Sequence, residues 1–263
     1  MPLRPTAVAL LALLAGACAY SVEGDFAGRG LDRRDPATTL VIIHNHGFSS
    51  TQAGTYRPRT PPILRRAAEE NPDVVVFSQV RNTSHLAVVD HAAYVASAVA
   101  WFHRERGVPL ENIVLAGQSC GGWGSLQAAA FAYPTLGGVL AFAPTCHGKL
   151  PHSTAVRIQR EQEIAQLADR LRTPGTIFLY EGDAYYQLTE WAGFESRLNG
   201  RAPGLSVERV DRARILELCA RCAGDSHGAY WDPRFAEAFY ARHVQALLER
   251  IRARVRARTA PAG

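Results

Sequence analysis

Asn112-Ile113-Val114-Leu115-Ala116-Gly117-Gln118-Ser119-Cys120-Gly121-Gly122 is the stretch on which the reading of this chain turns. Asn112 to Ala116 is a short apolar run of the kind buried on both faces of a sheet. Gly117 to Gly121 is G-x-S-x-G, and Ser125 to Tyr133 continues as a helical pattern stopped by Pro134. Five residues alone carry little information. A strand before them and a helix after them give the motif its meaning, because a turn this sharp leaves no room for side chains at its flanks. The strain would lift the Ser119 hydroxyl above the sheet. The first N–H groups of the following helix, and the positive end of its dipole, would point at the same place. The backbone N–H of Cys120 would then stabilise a developing oxyanion. The plain alternative is a glycine-rich turn that packs a helix tightly on a sheet. A phosphate loop is not expected, since no Lys follows the last glycine.

On either side of this segment, strand-like runs alternate with helical patterns. Strands are expected at Thr39 to Ile43, Val74 to Phe77, Asn112 to Ala116, Val139 to Ala143, Thr176 to Tyr180 and Leu205 to Val210. Helices are expected at His91 to Arg106, Ala155 to Leu171 and Phe235 to Val255, with a shorter one at Ala213 to Ala220. The alternation predicts an α/β fold: a mostly parallel twisted sheet with helices on both faces. No repeat, low-complexity tract or linker divides residues 18–263, so one domain is expected, ending in a basic tail. In such sheets function sits just past the carboxyl ends of the strands.

Composition removes other classes. The 263 residues are 47% hydrophobic and 20% charged, which excludes a disordered or collagen-like chain. The net charge of +5 comes almost wholly from arginines scattered along the chain, densest at Arg250, Arg252, Arg254, Arg256 and Arg258. With no interleaved aromatics and no nucleic-acid motif, no nucleic-acid partner is expected. Lys149 is the only lysine.

Arg4, the apolar run Ala7 to Leu14 and the small residues Ala15-Gly16-Ala17 read as a secretory signal over 1–17. Leu14 to Cys18 resembles a bacterial lipoprotein box, in which Cys18 would be lipidated and anchor the chain to a membrane. Ordinary cleavage after Ala17 or Ala19 is the other option. The expected location is the periplasm or cell envelope, or the medium. Cys120, Cys146, Cys219 and Cys222 remain after Cys18, and an oxidising compartment allows them disulfides whose connectivity the sequence leaves open.

With the motif in that context, the chain from Leu40 to Leu248 resembles the α/β-hydrolase superfamily, most closely its compact esterase and dienelactone-hydrolase-like members. The resemblance implies a nucleophile, an acid and a histidine in that chain order. Ser119 is the nucleophile. The acid should follow the strand Thr176 to Tyr180, where Glu181-Gly182-Asp183 stands; Asp183 is the choice and Glu181 the understudy. Asp225-Ser226-His227-Gly228 precedes the closing helix, and His227 is the base. The stretch from Val210 to His227 is longer than in minimal members and holds the C-x-x-C pair, so a Cys219–Cys222 or Cys146-linked bridge would brace it.

His44-Asn45-His46-Gly47-Phe48 occupies the place of the family's oxyanion loop, which makes the backbone N–H of Phe48 the second oxyanion donor beside Cys120. The competing reading is a metal site built on His44 and His46, with His147 or Cys146 as further ligands; such a site needs three or four ligands, and none is assigned. His85, His91, His103, His152 and His243 read as surface or packing residues. Trp123 and Tyr185 are the expected substrate-binding aromatics, with Phe48, Tyr186, Trp191 and Trp231 nearby. The one helix between Ala143 and Pro174 leaves little room for a lid.

The resemblance implies an exported serine hydrolase that cleaves a small-molecule carboxylic ester through an acyl-enzyme, without a cofactor. A serine peptidase or amidase on the same triad, and a non-catalytic lipid-anchored binding protein of the same fold, are the alternatives. The oligomeric state is not legible.

Overall fold

The computed structural model describes residues 21–48, 55–57, 59–82, 88–198 and 200–259. The signal segment 1–17, Cys18 and His85 lie outside the described residues. Among the described residues no helix is long and apolar enough to cross a membrane.

The elements are β1 (Gly24–Ala27), β2 (Leu40–Asn45), β3 (Thr55–Tyr56), α1 (Pro62–Glu70), β4 (Val74–Gln79), β5 (Arg81–Asn82), α2 (Val88–Ala100), β6 (Ile113–Gln118), α3 (Cys120–Gln127), β7 (Gly138–Phe142), α4 (Thr154–Arg170), β8 (Gly175–Tyr180), α5 (Ala192–Leu198), β9 (Leu205–Val210), α6 (Arg212–Leu218), α7 (Pro233–Phe239) and α8 (Ala246–Thr259). Seven strands form one sheet in the order β1-β4-β2-β6-β7-β8-β9, while β3 and β5 make a small separate ribbon. Every pairing in the main sheet is parallel except β1 with β4. Every residue of β2, β4, β6, β7 and β8 is buried, which is why these strands read as continuous apolar runs rather than alternating ones.

Right-handed crossovers fix the layers. The step from β2 to β4 runs one way along the sheet, and the steps from β4 through β6, β7 and β8 to β9 run the other. Helix α1 therefore covers one face, and α2, α3, α4 and α5 the opposite one. The packing agrees: α1 touches α7, whereas α2 packs on α3 and α4 on α5.

The expected closing helix Phe235 to Val255 is two helices joined by a π-turn at Tyr240–Gln245. The arginine-rich end is a helix docked on the amino end of the sheet. Arg252 makes two 2.7 Å bonds to Asp73, Arg254 donates to the Gly137 carbonyl at 3.0 Å and Arg258 to that of Ala37 at 3.1 Å. Strand β1 and helix α1 had no clear signature in the sequence. Helix α1 opens without a side-chain cap and buries only Ile63, Leu64 and Ala67.

Candidate active site

The polypeptide passes from β6 into α3 through Ser119, whose φ of 56° and ψ of −127° lie in a region that costs a non-glycine residue strain. The turn is held from three directions. The Ser119 N–H donates to the Phe142 carbonyl at 3.1 Å, and the Ser119 carbonyl accepts from Trp123 at 2.9 Å and Thr145 at 3.3 Å. Glycine is required on both sides. A Cβ on Gly117 would lie 2.4 Å from the Gly121 backbone, and one on Gly121 would lie 2.0 Å from the Asn45 carbonyl oxygen. The elbow is thus wedged against the end of β2, where Gly47 leaves the strand. A Cβ at Gly47 would stand 2.7 Å from the Ser119 Cβ and 3.3 Å from its Oγ. This approach brings the loop carrying Phe48 beside Ser119, while Cys120, the first residue of α3, has a backbone N–H without an intrahelical partner.

His227 arrives on the turn Ser226–Trp231, fastened by the Asp225 carboxylate, which accepts from the His227 N–H at 2.9 Å and the Ala184 N–H at 3.1 Å. Its Nδ1 lies 2.7 Å from Asp183 Oδ2, and the other Asp183 oxygen accepts from the Tyr185 N–H at 2.8 Å. A carboxylate only accepts, so Nδ1 carries the proton and Nε2 presents its lone pair. That Nε2 is buried with no hydrogen-bond partner among the described residues. Burial pushes the Asp183 carboxyl above its ordinary range, and the bond to His227 offsets part of the shift. Glu181 does not reach His227; it accepts the Arg212 N–H at 2.8 Å and so caps α6. The Gln118 side chain donates to the His227 carbonyl at 3.1 Å, tying the histidine turn to the residue before Ser119.

Ser119, His227, Phe48, Cys120 and Tyr185 line one cavity of about 530 Å³. Trp123 does not. It is fully buried on α3, edge-on to His147 at 5.2 Å and to Trp191 at 6.0 Å, so the expectation that it binds substrate is corrected. One helical turn past Ser119, its side chain points into the layer between α3 and its neighbours. Tyr186 and Trp191 are likewise buried, and Trp231 joins Phe48 and Tyr185 on the wall. Tyr185 lies against His227 with ring centroids 4.2 Å apart and the rings tilted by 33°.

Among the described residues there are two disulfides, Cys120–Cys146 and Cys219–Cys222. The first ties the residue after Ser119 to the loop past β7, not to the long stretch before His227. That stretch holds only its local bridge and is attached through the Ser226 N–H, which donates to the Gly182 carbonyl at 3.2 Å, and through Arg212, which donates to the Cys222 carbonyl at 3.2 Å.

The loop past β7 carries site residues that the sequence left unassigned or undervalued. Thr145 and His147 flank Cys146 and both line the cavity. They are held from behind by Arg160 of α4, which is 1% exposed and donates to Thr145 Oγ1 at 2.7 Å, His147 Nδ1 at 3.0 Å and Glu190 at 2.7 Å. Because a guanidinium only donates, His147 accepts at Nδ1 and gives its Nε2 proton to Glu163, 3.1 Å away. His91, expected to be a packing residue, also stands on the wall. Its sequence signal is its spacing: Arg160 falls on the same helical stripe as the buried Ile164, Leu167 and Ala168.

His44 and His46 do not assemble with His147 or Cys146. The one grouping of three ligand-type side chains among the described residues is His91, Cys120 and Cys146, and its two sulfurs are spent on a disulfide. His44 Nδ1 instead meets Ser78 Oγ at 3.1 Å. Burial drives the His44 pKa down to about 3 and that of His46 to about 2, and burial with the nearby Arg81 guanidinium takes His91 to about 3, so all three are neutral near pH 7.

No protein-family model matches the chain, and no curated protein matches its sequence. Solved structures do match its fold. A Pyrococcus furiosus esterase, Pf2001, is 14% identical with a TM-score of 0.54, over 88% of this chain and 92% of that one. Est1E from Butyrivibrio proteoclasticus, solved with ferulic acid, is 14% identical with a TM-score of 0.54, over 88% and 94%. Thermogutta terrifontis Est2, solved with butyrate, is 16% identical with a TM-score of 0.51, over 93% and 92%. The strand order, the turn at Ser119 and these likenesses together establish that the chain has the α/β-hydrolase fold.

Proposed function

We propose that the protein is an exported serine hydrolase acting on a carboxylic ester, with Ser119 as nucleophile, His227 as general base and acid, and Asp183 orienting His227. The reading is carried by one observation. Ser119, held on a strained turn, shares a cavity with a histidine whose Nδ1 is tied to a buried carboxylate at 2.7 Å and whose buried Nε2 has no hydrogen-bond partner among the described residues. The named esterases of the same fold point the same way. The two disulfides fit an oxidising compartment.

The chemistry follows from the parts. An alcohol is a weak nucleophile until a base removes its proton. As Ser119 Oγ bonds to the ester carbonyl carbon, its proton passes to His227 Nε2, and the carbonyl π pair moves to oxygen. The backbone N–H groups of Cys120 and Phe48 would receive that oxyanion, each contributing about 3–4 kcal/mol to the transition state. The buried Asp183 stabilises the imidazolium without taking its proton. His227 then protonates the departing alkoxide, leaving an acyl-enzyme. Water repeats the sequence, with His227 accepting its proton and returning one to Ser119.

Ser119→Ala should lose all measurable ester hydrolysis while keeping its circular dichroism spectrum and melting temperature, and a fluorophosphonate should label wild-type Ser119 alone. Appreciable turnover by the variant, or an adduct on another residue, refutes the assignment.

A further inference from the structure

We propose that the groove between β1 and α1 binds the phosphate headgroups of anionic phospholipids and so sets which face of the protein lies on a bilayer. The proposal is independent of the hydrolase reading, since no residue of the groove lines the Ser119 cavity. Strand β1 is the edge of the sheet, and the trough beside it encloses about 740 Å³, a volume that holds a small ligand. Five arginines line it, Arg29, Arg34, Arg57, Arg59 and Arg65, against two acids, Asp25 and Glu69. All of the arginines but Arg34 are exposed.

Their bonds leave most of the positive charge uncancelled. Asp25 is taken by Arg57 at 3.0 Å, and Glu23 stands 3.9 Å from the same guanidinium. Arg34 donates to the Gly30 carbonyl at 3.0 Å and to that of Pro72, and Arg65 donates to the Thr60 carbonyl at 3.2 Å. A carbonyl accepts such a bond without neutralising the cation. Asp73, beside Pro72, is spent on Arg252 at 2.7 Å. From Ala37 to Ala68 the sequence holds no Asp or Glu, so the segment that carries Arg57, Arg59 and Arg65 brings no acid of its own. Guanidinium forks match phosphate oxygens in pairs, which makes a cluster of them a phosphate-binding surface.

A bilayer is favoured over a soluble polyanion by where the chain enters the groove. Asp25 on the groove wall follows Cys18, the residue expected to carry lipid, by seven positions, a span of about 25 Å at full extension. An acyl anchor at Cys18 would keep this groove within reach of the headgroups while leaving the orientation of the protein free. The arginines would then fix that orientation, each adding roughly fivefold to binding of an anionic leaflet.

Vesicle co-sedimentation tests the proposal on the full chain carrying Cys18→Ala, so that no acyl group masks the contact. Vesicles of phosphatidylcholine alone are compared with vesicles in which about one lipid in four is phosphatidylglycerol. Binding to the anionic vesicles should be at least about tenfold tighter at low salt, and the preference should vanish in molar salt. Arg29 and Arg59 have no hydrogen-bond or ion-pair partner among the described residues. Joint Arg29→Gln and Arg59→Gln should weaken anionic-vesicle binding by about tenfold or more, whereas Arg104→Gln with Arg221→Gln, an equal charge change outside the groove, should cost about twofold or less. Equal losses in the two variants, or equal binding to neutral and anionic vesicles, would overturn the proposal. So would binding to dextran sulfate that falls in the groove variant while its vesicle binding does not, which would assign the groove to a soluble polyanion. Turnover of a soluble ester should be unchanged in both variants, so a failure of headgroup binding leaves the hydrolase reading untouched.

Discussion

Two glycines set how closely the backbones approach at Ser119, and they do so with different tolerances. The Cβ of Gly121→Ala would meet the Asn45 carbonyl at 2.0 Å, a backbone atom that cannot yield without moving β2. This variant should lose about 3 kcal/mol or more, read as a lower denaturation midpoint. At Gly47 the obstructing atoms are Gln118 Oε1, at the end of a flexible side chain, and Ser119 Cβ. Gly47→Ala should stay folded yet, on the proposed assignment of the Phe48 N–H as an oxyanion donor, lose at least about tenfold in kcat as that N–H is displaced. A Gly47→Ala enzyme with wild-type kcat would remove Phe48 from the site.

At the scale of elements, the loop after β7 is the second wall of the cavity, and it is fixed twice. Arg160 holds Thr145 and His147 from α4, while the Cys120–Cys146 bridge joins the loop to the start of α3. The bridge spans 26 residues of sequence, for which loop-closure entropy gives about 3–4 kcal/mol. Reduction, or the double Cys120→Ser, Cys146→Ser variant, should lower the melting temperature and, on the proposed assignment of Cys120 as an oxyanion donor, reduce kcat more than it raises KM. An unchanged kcat after verified reduction would show that the bridge stabilises the fold without positioning the site. Cys219–Cys222 closes only a separation of 3 residues and should matter little to either quantity.

For the whole molecule, burial of neutral histidines ties stability to pH. His44, His46 and His91 have folded-state pKa values of about 3, 2 and 3, against an ordinary 6.5. Between about pH 6.5 and pH 3 the unfolded chain binds protons that the folded chain does not, so stability falls as pH falls. Each group contributes up to about 1.4 kcal/mol per pH unit within that window. Melting temperatures should therefore drop steeply between about pH 6 and pH 4, and a flat profile there would mean that the three rings are more solvated than their packing implies. The arginines of α8 act elsewhere, clamping the amino end of the sheet opposite the cavity. Arg252→Ala should destabilise the chain without changing kcat.

The division between sequence and tertiary structure follows the range of the forces involved. Strands buried on both faces announce themselves as unbroken apolar runs, and a strand-to-helix turn with no room for Cβ atoms demands its glycines locally. The sheet, its chain order and the placing of Ser119, Asp183 and His227 after β6, β8 and β9 were therefore legible. Helix α1 was not, because only three of its residues face the core and no cap marks its start. Neither was the fate of the aromatics, since periodicity says that a side chain is buried but not whether a cavity or a neighbouring helix covers it. Trp123 met a helix layer, whereas Tyr185 met His227. The pairing of Cys120 with Cys146 and the support of Thr145 and His147 by Arg160 depend on segments distant in sequence. Those segments meet only because parallel strands deliver them to the same edge of the sheet.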